Sequence, residues 1–360
     1  FILMLEVGSH SKATVFASEL SDLSNSLQPG EWAKLNSIGF GDGDLLKTGG
    51  RKVIDYAESG VWDPFGKRFM FIGGGHANYY KFIVYNDVTN TWKTLPMPLS
   101  CMNDRTCTGH GYDLNTIDLE GKRFYWRDRP RSGLFYMDLN TDQWGTIDSP
   151  TEDSNYTRAH RYGAMTWFPE LNGLISVVKD KMYYYNQADG SFTPKGGFSL
   201  YGIHTFAEYN PMHKVLFFGG GNYKPEKYDG HPLYKMDATG AITRLNDAPF
   251  YVRITSGASG SEGSLVTYEP VSGTFIVLRS MNDSGSSELW EYDITLDKWS
   301  FITADFPLGT NGVSAPISNY GVIMFVGRNE IYIYKHKKCV DCINLEKPSM
   351  PLNLKMTIEE

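Results

Sequence analysis

The feature that most constrains the fold of this chain is a sequence unit that recurs about every 50 residues. Each copy starts with a run of small residues, passes a turn containing Pro or Gly, and continues as an apolar run, a loop, a Tyr-rich run and an Asp or Asn turn. An apolar residue closes each copy; the closing positions are Trp32, Trp92, Trp144, Phe192, Ile242 and Trp299. Four strand-like runs per copy at this period are typical of a propeller, because one four-stranded sheet buries its faces only by stacking on neighbours around a ring.

The order of the runs predicts how the ring closes. The run "GEWAKLNSI" carries Trp32, whereas the last copy, "GVSAPISNYGVIMFVGRNEIYIYKH", lacks a closing run. We therefore predict an all-β fold, a six-bladed propeller of four-stranded antiparallel blades whose last blade is completed by an N-terminal strand. We assign residues 30–336 to the propeller and 337–360 to a linker toward a further β module. Residues 1–29 form an N-terminal extension that fits a signal-peptide remnant and contains "ASELSDLSNSL", a candidate short helix.

The glycine-rich runs followed by spaced Tyr and Trp resemble the kelch-like β-propellers. The residues that carry the resemblance are "FIGGGHANYY" and "VYNDVTNTW" in the first copy and "LFFGGGN" and "LYKMDATGAI" in the fourth. The resemblance implies the fold, but this architecture hosts binding proteins, oxidases, sialidases and lyases, so function must be argued from the site. The chain is also similar in a general way to the propeller-type ulvan lyases. Those have one blade more, so none of their residues is carried over.

The composition narrows the classes of function. The 360-residue chain has a formal net charge of −7 at pH 7, so as a whole it lacks the basic surface that nucleic-acid binding requires. Its 14% aromatic residues with 37 Gly and 17 Pro favour an all-β protein. The sequence has no apolar run near the roughly 20 residues of a membrane-spanning helix. We expect no nucleic-acid partner and no membrane span.

The four cysteines fall into two close pairs, Cys101 with Cys107 and Cys339 with Cys342. Two local disulfides fit an oxidising compartment. A shared zinc site with four thiolates is the alternative, although the spacing of the first pair is loose for it. We favour disulfides and therefore expect an extracellular or cell-surface protein.

The two faces of the predicted ring carry different loops. We call the face with the turns between first and second strands the turn face, and the opposite face, with the loops between second and third strands, the loop face. Registering the copies on the first turn, as in "DPFGKR" and "DLEGKR", places His110, His160 and His204 near the loop-face ends of consecutive inner strands. Since inner strands line the central channel, we expect these imidazoles to converge near its mouth.

A face rich in His and Arg suits β-elimination from an anionic polysaccharide. The reaction needs a cation to neutralise the uronate carboxylate, a base to remove the C5 proton and an acid to protonate the leaving oxygen. Arg can engage a carboxylate bidentately, and His and Tyr serve as base and acid near neutral pH. We assign the catalytic roles to His110, His160, Arg161 and Tyr162. We assign substrate binding to His76, Asn78, Tyr79, Arg127, Arg129, His204, Asn222, Tyr223 and Arg279.

Two other interpretations remain open. His110, His160 and His204 could hold a divalent metal, with Asp55 or Glu208 as an oxygen ligand, but no short ligand motif supports this and we expect no cofactor. The other interpretation is a non-catalytic module that binds a glycan or a protein, which is what the kelch-like resemblance implies by default. Its tyrosines would stack on sugar rings, and its arginines would hold anionic groups.

Overall fold

Six four-stranded antiparallel sheets form the blades of a propeller, which confirms the predicted all-β fold and the predicted number of blades. The structure is a computed structural model, and it describes residues 18–41, 43–48, 51–74, 79–98, 111–128, 133–148, 163–200, 204–221, 231–253, 263–280, 287–309 and 311–338. These residues include one α-helix, α1 (Glu19–Ser26), and no helix among them is long and apolar enough to cross a bilayer.

The N-terminal segment packs on the ring before it joins a blade. The Ser18 hydroxyl accepts a hydrogen bond from the amide of Ser21 at 3.1 Å, which caps the first turn of α1. Leu20 of this helix is fully buried among apolar residues of the first and last blades. The helix is followed by strand β1 (Trp32–Lys34) and a two-stranded hairpin of β2 (Lys47–Thr48) and β3 (Arg51–Lys52).

Blades 1 to 3 follow in chain order, each from an inner strand at the channel to an outer strand. Blade 1 consists of β4 (Val61–Asp63), β5 (Arg68–Gly73), β6 (Lys81–Asn86) and β7 (Thr91–Leu95). Blade 2 consists of β8 (Asn115–Asp118), β9 (Arg123–Arg127), β10 (Leu134–Asp138) and β11 (Trp144–Ile147). Blade 3 consists of β12 (Ala164–Phe168), β13 (Gly173–Val178), β14 (Lys181–Asn186) and β15 (Phe192–Lys195). Short 3-10 turns lie at Val53–Tyr56 and Pro169–Leu171.

Blades 4 to 6 complete the ring. Blade 4 consists of β16 (Thr205–Asn210), β17 (Val215–Gly220), β18 (Leu233–Met236) and β19 (Ile242–Arg244). Blade 5 consists of β20 (Gly263–Tyr268), β21 (Phe275–Ser280), β22 (Ser287–Asp293) and β23 (Lys298–Phe306). Blade 6 consists of β24 (Val313–Ile317), β25 (Val322–Val326) and β26 (Ile331–Tyr334), with β1 as its outer strand. Inner strands contact each other around the whole ring, β24 against β4 included, so the ring is closed.

The turns between first and second strands share one construction. The last residue of the turn has a positive φ, from 50° to 72°, in every blade: Lys67, Lys122, Asn172, Lys214, Gly273 and Gly321. In four blades the residue that starts the turn accepts hydrogen bonds from the following amides: Asp63, Asp118, Asn210 and Glu269. Side-chain oxygens suit this position because they replace a backbone acceptor where the chain reverses. The repeat is therefore visible in its turn chemistry as well as in its apolar runs.

The closing residues of the repeat lie in the outer strands, as predicted. In three blades the closing ring packs on a tyrosine directly opposite in the third strand: Tyr85 with Trp92 (5.1 Å between ring centroids), Tyr185 with Phe192 (4.8 Å) and Tyr292 with Trp299 (4.7 Å). Aromatic pairs at such distances stabilise by about 0.5–1.5 kcal/mol beyond the burial of their area. These pairs hold the outer edge of each blade to its centre.

The N-terminal strand completes the last blade, as predicted. In the register of β1 with β26, Trp32 lies opposite Tyr334 and Lys34 opposite Tyr332. The ring is also tied at this point to blade 5, because His336 Nε2 lies 2.9 Å from Glu291 Oε1. Residues distant in sequence thus meet at one place, which is the arrangement that leaves no blade face unpaired.

Polar side chains join neighbouring blades near the channel. Asn115 of blade 2 accepts a hydrogen bond from the Ile72 amide at 2.9 Å, and its Nδ2 donates to the carbonyls of Ile72 (3.1 Å) and Ser59 (3.2 Å). The side chain is almost fully buried, so these bonds satisfy backbone groups that water cannot reach. One asparagine therefore fixes blade 1 to blade 2.

We predict that Asn115→Ala lowers the free energy of unfolding by roughly 2–4 kcal/mol, because it leaves buried backbone groups of blade 1 without partners. Urea denaturation followed by intrinsic fluorescence measures the change. The matched control is Asn140→Ala on an exposed turn, for which we expect less than about 0.5 kcal/mol. Equal losses in the two variants would contradict the assigned role.

Candidate functional site

The structure describes four of the residues predicted to form a site on the loop face: Tyr79, Arg127, His204 and Arg279. The remaining predicted residues, His76, Asn78, His110, Arg129, His160, Arg161, Tyr162, Asn222 and Tyr223, lie outside the described residues. The four described ones stand where strands reach the loop face: before β6, at the end of β9, before β16 and near the end of β21. Tyr79 exposes 49% of its surface, which suits a contact with an external ligand.

The other three side chains are engaged within the ring. Arg127 is only 1% exposed. The ring of His204, also buried, packs edge-to-face on Tyr112 with 5.1 Å between centroids. Arg279 Nη1 lies 3.1 Å from a carboxylate oxygen of Glu288 in the next strand of its blade. In this arrangement these three residues support the loop face from below instead of presenting charge at its surface.

The predicted disulfides and the metal hypothesis involve some residues that the structure describes and some that lie outside the described ranges. Cys101, Cys107, Cys339 and Cys342 lie outside the described residues, as do His110 and His160 of the metal hypothesis. Within the described ranges, no three His, Cys, Asp or Glu side chains come close enough to hold a metal ion. Asp55, one suggested oxygen ligand, instead accepts hydrogen bonds from Arg328 Nε at 2.8 Å and from the Lys52 amide at 3.1 Å.

A cavity of about 290 Å³ occupies the central channel and opens on the turn face, opposite the predicted site. Its mouth is formed by turn residues from four blades: Leu119, Glu120, Pro169, Pro211 and Ser318. Its walls carry aromatic side chains from four blades: Trp62, Trp167, Tyr209 and Tyr268. Four acidic residues line it, Asp113, Asp118, Glu120 and Glu208, and no Lys, Arg or His belongs to the described residues that line it. The volume is at the lower end for ligand cavities, so the space suits one side chain or a small ligand.

Glu208, suggested from the sequence as a metal ligand near the loop face, lines this cavity from strand β16. The side chain is half-buried, and its carboxylate has no hydrogen-bond partner among the described residues. Burial raises its pKa well above the ordinary value, and the neighbouring Asp113 carboxylate raises it further. Glu208 is thus a partly desolvated carboxylate without a protein partner among the described residues, open to the cavity.

Asp113 forms the inner end of the cavity and also holds the ring together. Its Oδ2 accepts a hydrogen bond from the amide of Ala207, two blades away, at 2.9 Å, and the Ser59 hydroxyl bonds the same carboxyl. Burial raises its pKa from 3.8 to about 7 although both hydrogen bonds act in the opposite direction. Near neutral pH this group therefore exists in both protonation states.

A third carboxyl, Glu58, lies beside Asp113. It is 5% exposed, and its Oε2 has no hydrogen-bond partner among the described residues. Burial raises its pKa well above the ordinary range and the Asp113 charge adds to this, whereas Arg253 acts in the opposite direction. The channel therefore concentrates negative charge in a region that solvent stabilises poorly.

The sequence contained one signal for this cavity, a single glutamate in an inner strand. In "TFAEYN" of β16, a glutamate stands in an inner strand among residues that are otherwise small, apolar or aromatic. An ionisable residue in a buried strand position indicates either a partner or a function. The face on which the cavity opens does not follow from that signal, because it depends on how six strands close around the axis.

We predict that Asp113→Asn changes how stability depends on pH. The folded-state pKa of Asp113, about 7, lies above its unfolded value, so the folded state binds the proton more tightly and wild-type stability falls as pH rises toward that value. The amide keeps both hydrogen bonds, because the Ser59 hydroxyl can accept as well as donate. Relative to wild type, we expect the variant to gain on the order of 2–4 kcal/mol between about pH 5 and about pH 8, measured by denaturant titration. The exposed Asp189→Asn serves as control, and parallel wild-type and Asp113→Asn profiles would refute the assignment.

Comparisons with known proteins support the fold alone. No family model matches the chain, and no curated protein matches its sequence. Among solved structures the chain is similar to TolB from Acinetobacter baumannii, at 13% identity over 78% of this chain and 54% of that one, with a TM-score of 0.41. It is also similar to U3-55K, at 11% identity over 84% of this chain and 98% of that one, with a TM-score of 0.50. The chain thus spans about half the length of the TolB chain, and only the likeness to U3-55K supports the propeller fold.

Proposed function

We propose that this protein is a non-catalytic binding propeller whose central cavity takes a positively charged group of its ligand. One observation carries the proposal: Glu208 faces an aromatic cavity on the turn face with no hydrogen-bond partner among the described residues. A half-buried carboxylate that lines an aromatic cavity without a protein partner is available to a ligand, and we infer that a ligand completes it.

The charges around the cavity favour a cation over an anion. Asp113 and Glu58 stand behind Glu208, and each of the three carboxyls has a raised pKa because its negative charge is poorly solvated. A bound cation reverses this effect, since it stabilises the ionised form of each carboxyl. A uronate or another anion entering the same cavity would find no Lys, Arg or His among the described lining residues and would be repelled by any carboxyl that ionises.

The walls suit the same ligand. Trp62 and Trp167 from blades 1 and 3 and Tyr268 from blade 5 border the space. The Trp62 indole is held by a hydrogen bond from its Nε1 to Asn319 Oδ1 at 2.6 Å, so this wall is fixed before any ligand arrives. Aromatic rings attract an ammonium or guanidinium group by about 0.5–2 kcal/mol, and they also cover an apolar chain attached to it.

We predict that the simple amine n-butylammonium binds to the protein, and that n-butanol, which has the same chain without the charge, binds much more weakly. Its affinity should rise as the pH increases through about 7, because Asp113, whose pKa burial raises to about 7, is protonated and uncharged at lower pH. Isothermal titration calorimetry at several pH values measures both effects.

The variant Glu208→Gln should weaken n-butylammonium binding by at least about tenfold, since it removes the charge at nearly constant volume. Asp189→Asn, on an outer turn of blade 3, is the matched control and should bind as wild type does. If n-butanol binds as tightly as n-butylammonium, or if Glu208→Gln binds normally, the cavity is not a cation site.

A second candidate function concerns the loop face. The cleavage of an anionic polysaccharide by β-elimination stays a prediction, and so does the extracellular or cell-surface location. Among the described residues it is favoured by Tyr79, which is 49% exposed where a strand reaches the loop face, whereas Arg127, His204 and Arg279 are engaged within the ring. The acidic cavity is on the other face, so the two functions do not compete for one site.

The lyase hypothesis predicts that the protein releases unsaturated uronates from at least one member of a panel of uronic-acid polysaccharides. The new C4–C5 double bond is followed by its ultraviolet absorbance. His110→Ala and His160→Ala should abolish turnover, because they remove the proposed base or acid, whereas His213→Ala on the turn face should not. If the protein binds a polysaccharide but releases no unsaturated product, the lyase hypothesis is wrong and polysaccharide binding alone is supported.

A further inference from the structure

Several large apolar side chains are exposed on the turns of the turn face. The large apolar side chains that are exposed on the turns of this face are Phe65, Val88, Leu119, Met212 and Leu296. Phe65, Leu119 and Met212 occupy equivalent turns of blades 1, 2 and 4, and they are 56%, 39% and 51% exposed. Single exposed apolar residues are common, but the same turn carrying one in three blades around a cavity mouth makes a recurrent feature.

These three tips stand next to the opening of the cavity. Leu119 itself lines it, and Met212 directly follows Pro211, which lines it as well. Phe65 lies in the turn that follows Trp62, and it borders a smaller depression between the turns of blades 1 and 2. One apolar tip, Leu119, thus lines the cavity, and the other two lie on neighbouring turns of the same face.

An acidic ring surrounds this apolar zone. The turns between third and fourth strands in blades 1 to 5, which are all described, contain neither Lys nor Arg, whereas the turns between first and second strands on the same face carry Lys67, Lys122 and Lys214. Their exposed or half-buried acidic residues are Asp138, Asp142, Asp189, Asp237, Asp293 and Asp297. Hydrogen bonds from the Thr239 and Thr295 hydroxyls to Asp237 and Asp293, and from backbone amides to these two and to Asp138, keep the pKa of each below its ordinary value, so these side chains stay charged well into the acidic range.

We propose that the turn face is the docking surface for a segment of another protein that presents a lysine or arginine between apolar residues. The basic side chain enters the cavity toward Glu208, and the flanking apolar residues cover Phe65, Leu119 and Met212. This inference rests on the proposed cation site and adds the class of its ligand.

Charge selects this occupant among the alternatives. The six aspartates of the outer turns outnumber Lys67, Lys122 and Lys214 of the inner turns, so the face disfavours a second copy of the chain, with its formal net charge of −7, a nucleic acid or an anionic lipid surface. A free amine fills the cavity but leaves the apolar tips in water. A segment with a basic residue between apolar ones would pair its cation with the carboxyls and cover the exposed apolar side chains at the same time. Protein interfaces are commonly built in this way, from a central anchor residue and surrounding contacts that exclude water.

The test is to pan a library of random peptides on the intact chain and to synthesise the enriched sequences. We expect these sequences to share a Lys or Arg beside apolar residues and to compete with n-butylammonium. The double variant Phe65→Ser with Met212→Ser should weaken peptide binding by at least about tenfold and leave n-butylammonium binding unchanged, because neither side chain lines the cavity. Phe301→Ser, an exposed phenylalanine on the outer strand β23, is the matched control and should have no effect.

The outcomes separate the two proposals. If n-butylammonium binds but no basic peptide is enriched, or if enriched peptides are insensitive to the double variant, the docking surface is wrong and the cation site stands. If n-butylammonium does not bind, the cation site fails and the docking proposal fails with it.

Discussion

Closure of the ring is the constraint on which the rest of this structure depends. Each blade buries its faces only against two neighbours, so the chain must bring β24 back against β4 and must supply β1 to complete blade 6. Closure by six inner strands leaves a channel so narrow that Asp113 of blade 2 bonds the Ala207 amide of blade 4 directly. The polar chemistry of the channel follows from this geometry, because groups on different blades are forced into contact there.

The narrowness of the channel also explains why the carboxyl groups in it have raised pKa values, because it keeps them away from water. Asp113 has two hydrogen bonds, yet burial still raises its pKa to about 7. A ring that needed only stability could place amides or hydroxyls here, as it does with Asn115 and with Thr116, whose hydroxyl accepts from the Trp167 amide at 2.8 Å. Asp113 bonds across the ring, but Glu208 and the Oε2 atom of Glu58 contribute no such bond among the described residues. A residue that lowers the stability of the fold and makes no structural hydrogen bond is a candidate for ligand binding.

Much of the fold could be predicted, because repeats record it redundantly. The positions of Trp92, Trp144 and Trp299 marked the outer strands, and the turn starting at Asp63 recurs with similar chemistry in other blades. The candidate site was a different matter. Glu208 was noticed in the sequence but assigned to the loop face, since nothing in one strand shows toward which end of a closed channel its side chain will be accessible. His204 was expected to reach a ligand, whereas it packs on Tyr112, because the residues just before the inner strands of blades 2 and 4 meet across the narrow channel.

The two faces of the ring are separated by a layer of buried side chains. Tyr112 and His204 lie on its loop side, and Asp113 lies on its cavity side, with Glu58 between blades 1 and 2 and in electrostatic contact with Arg253. A ligand in the cavity therefore cannot reach the loop face directly. Its charge can still act on this layer, because the interaction between Glu58 and Asp113 is screened only weakly inside the protein. A cation that ionises Asp113 would therefore also alter the charge around Glu58, beneath the loop face.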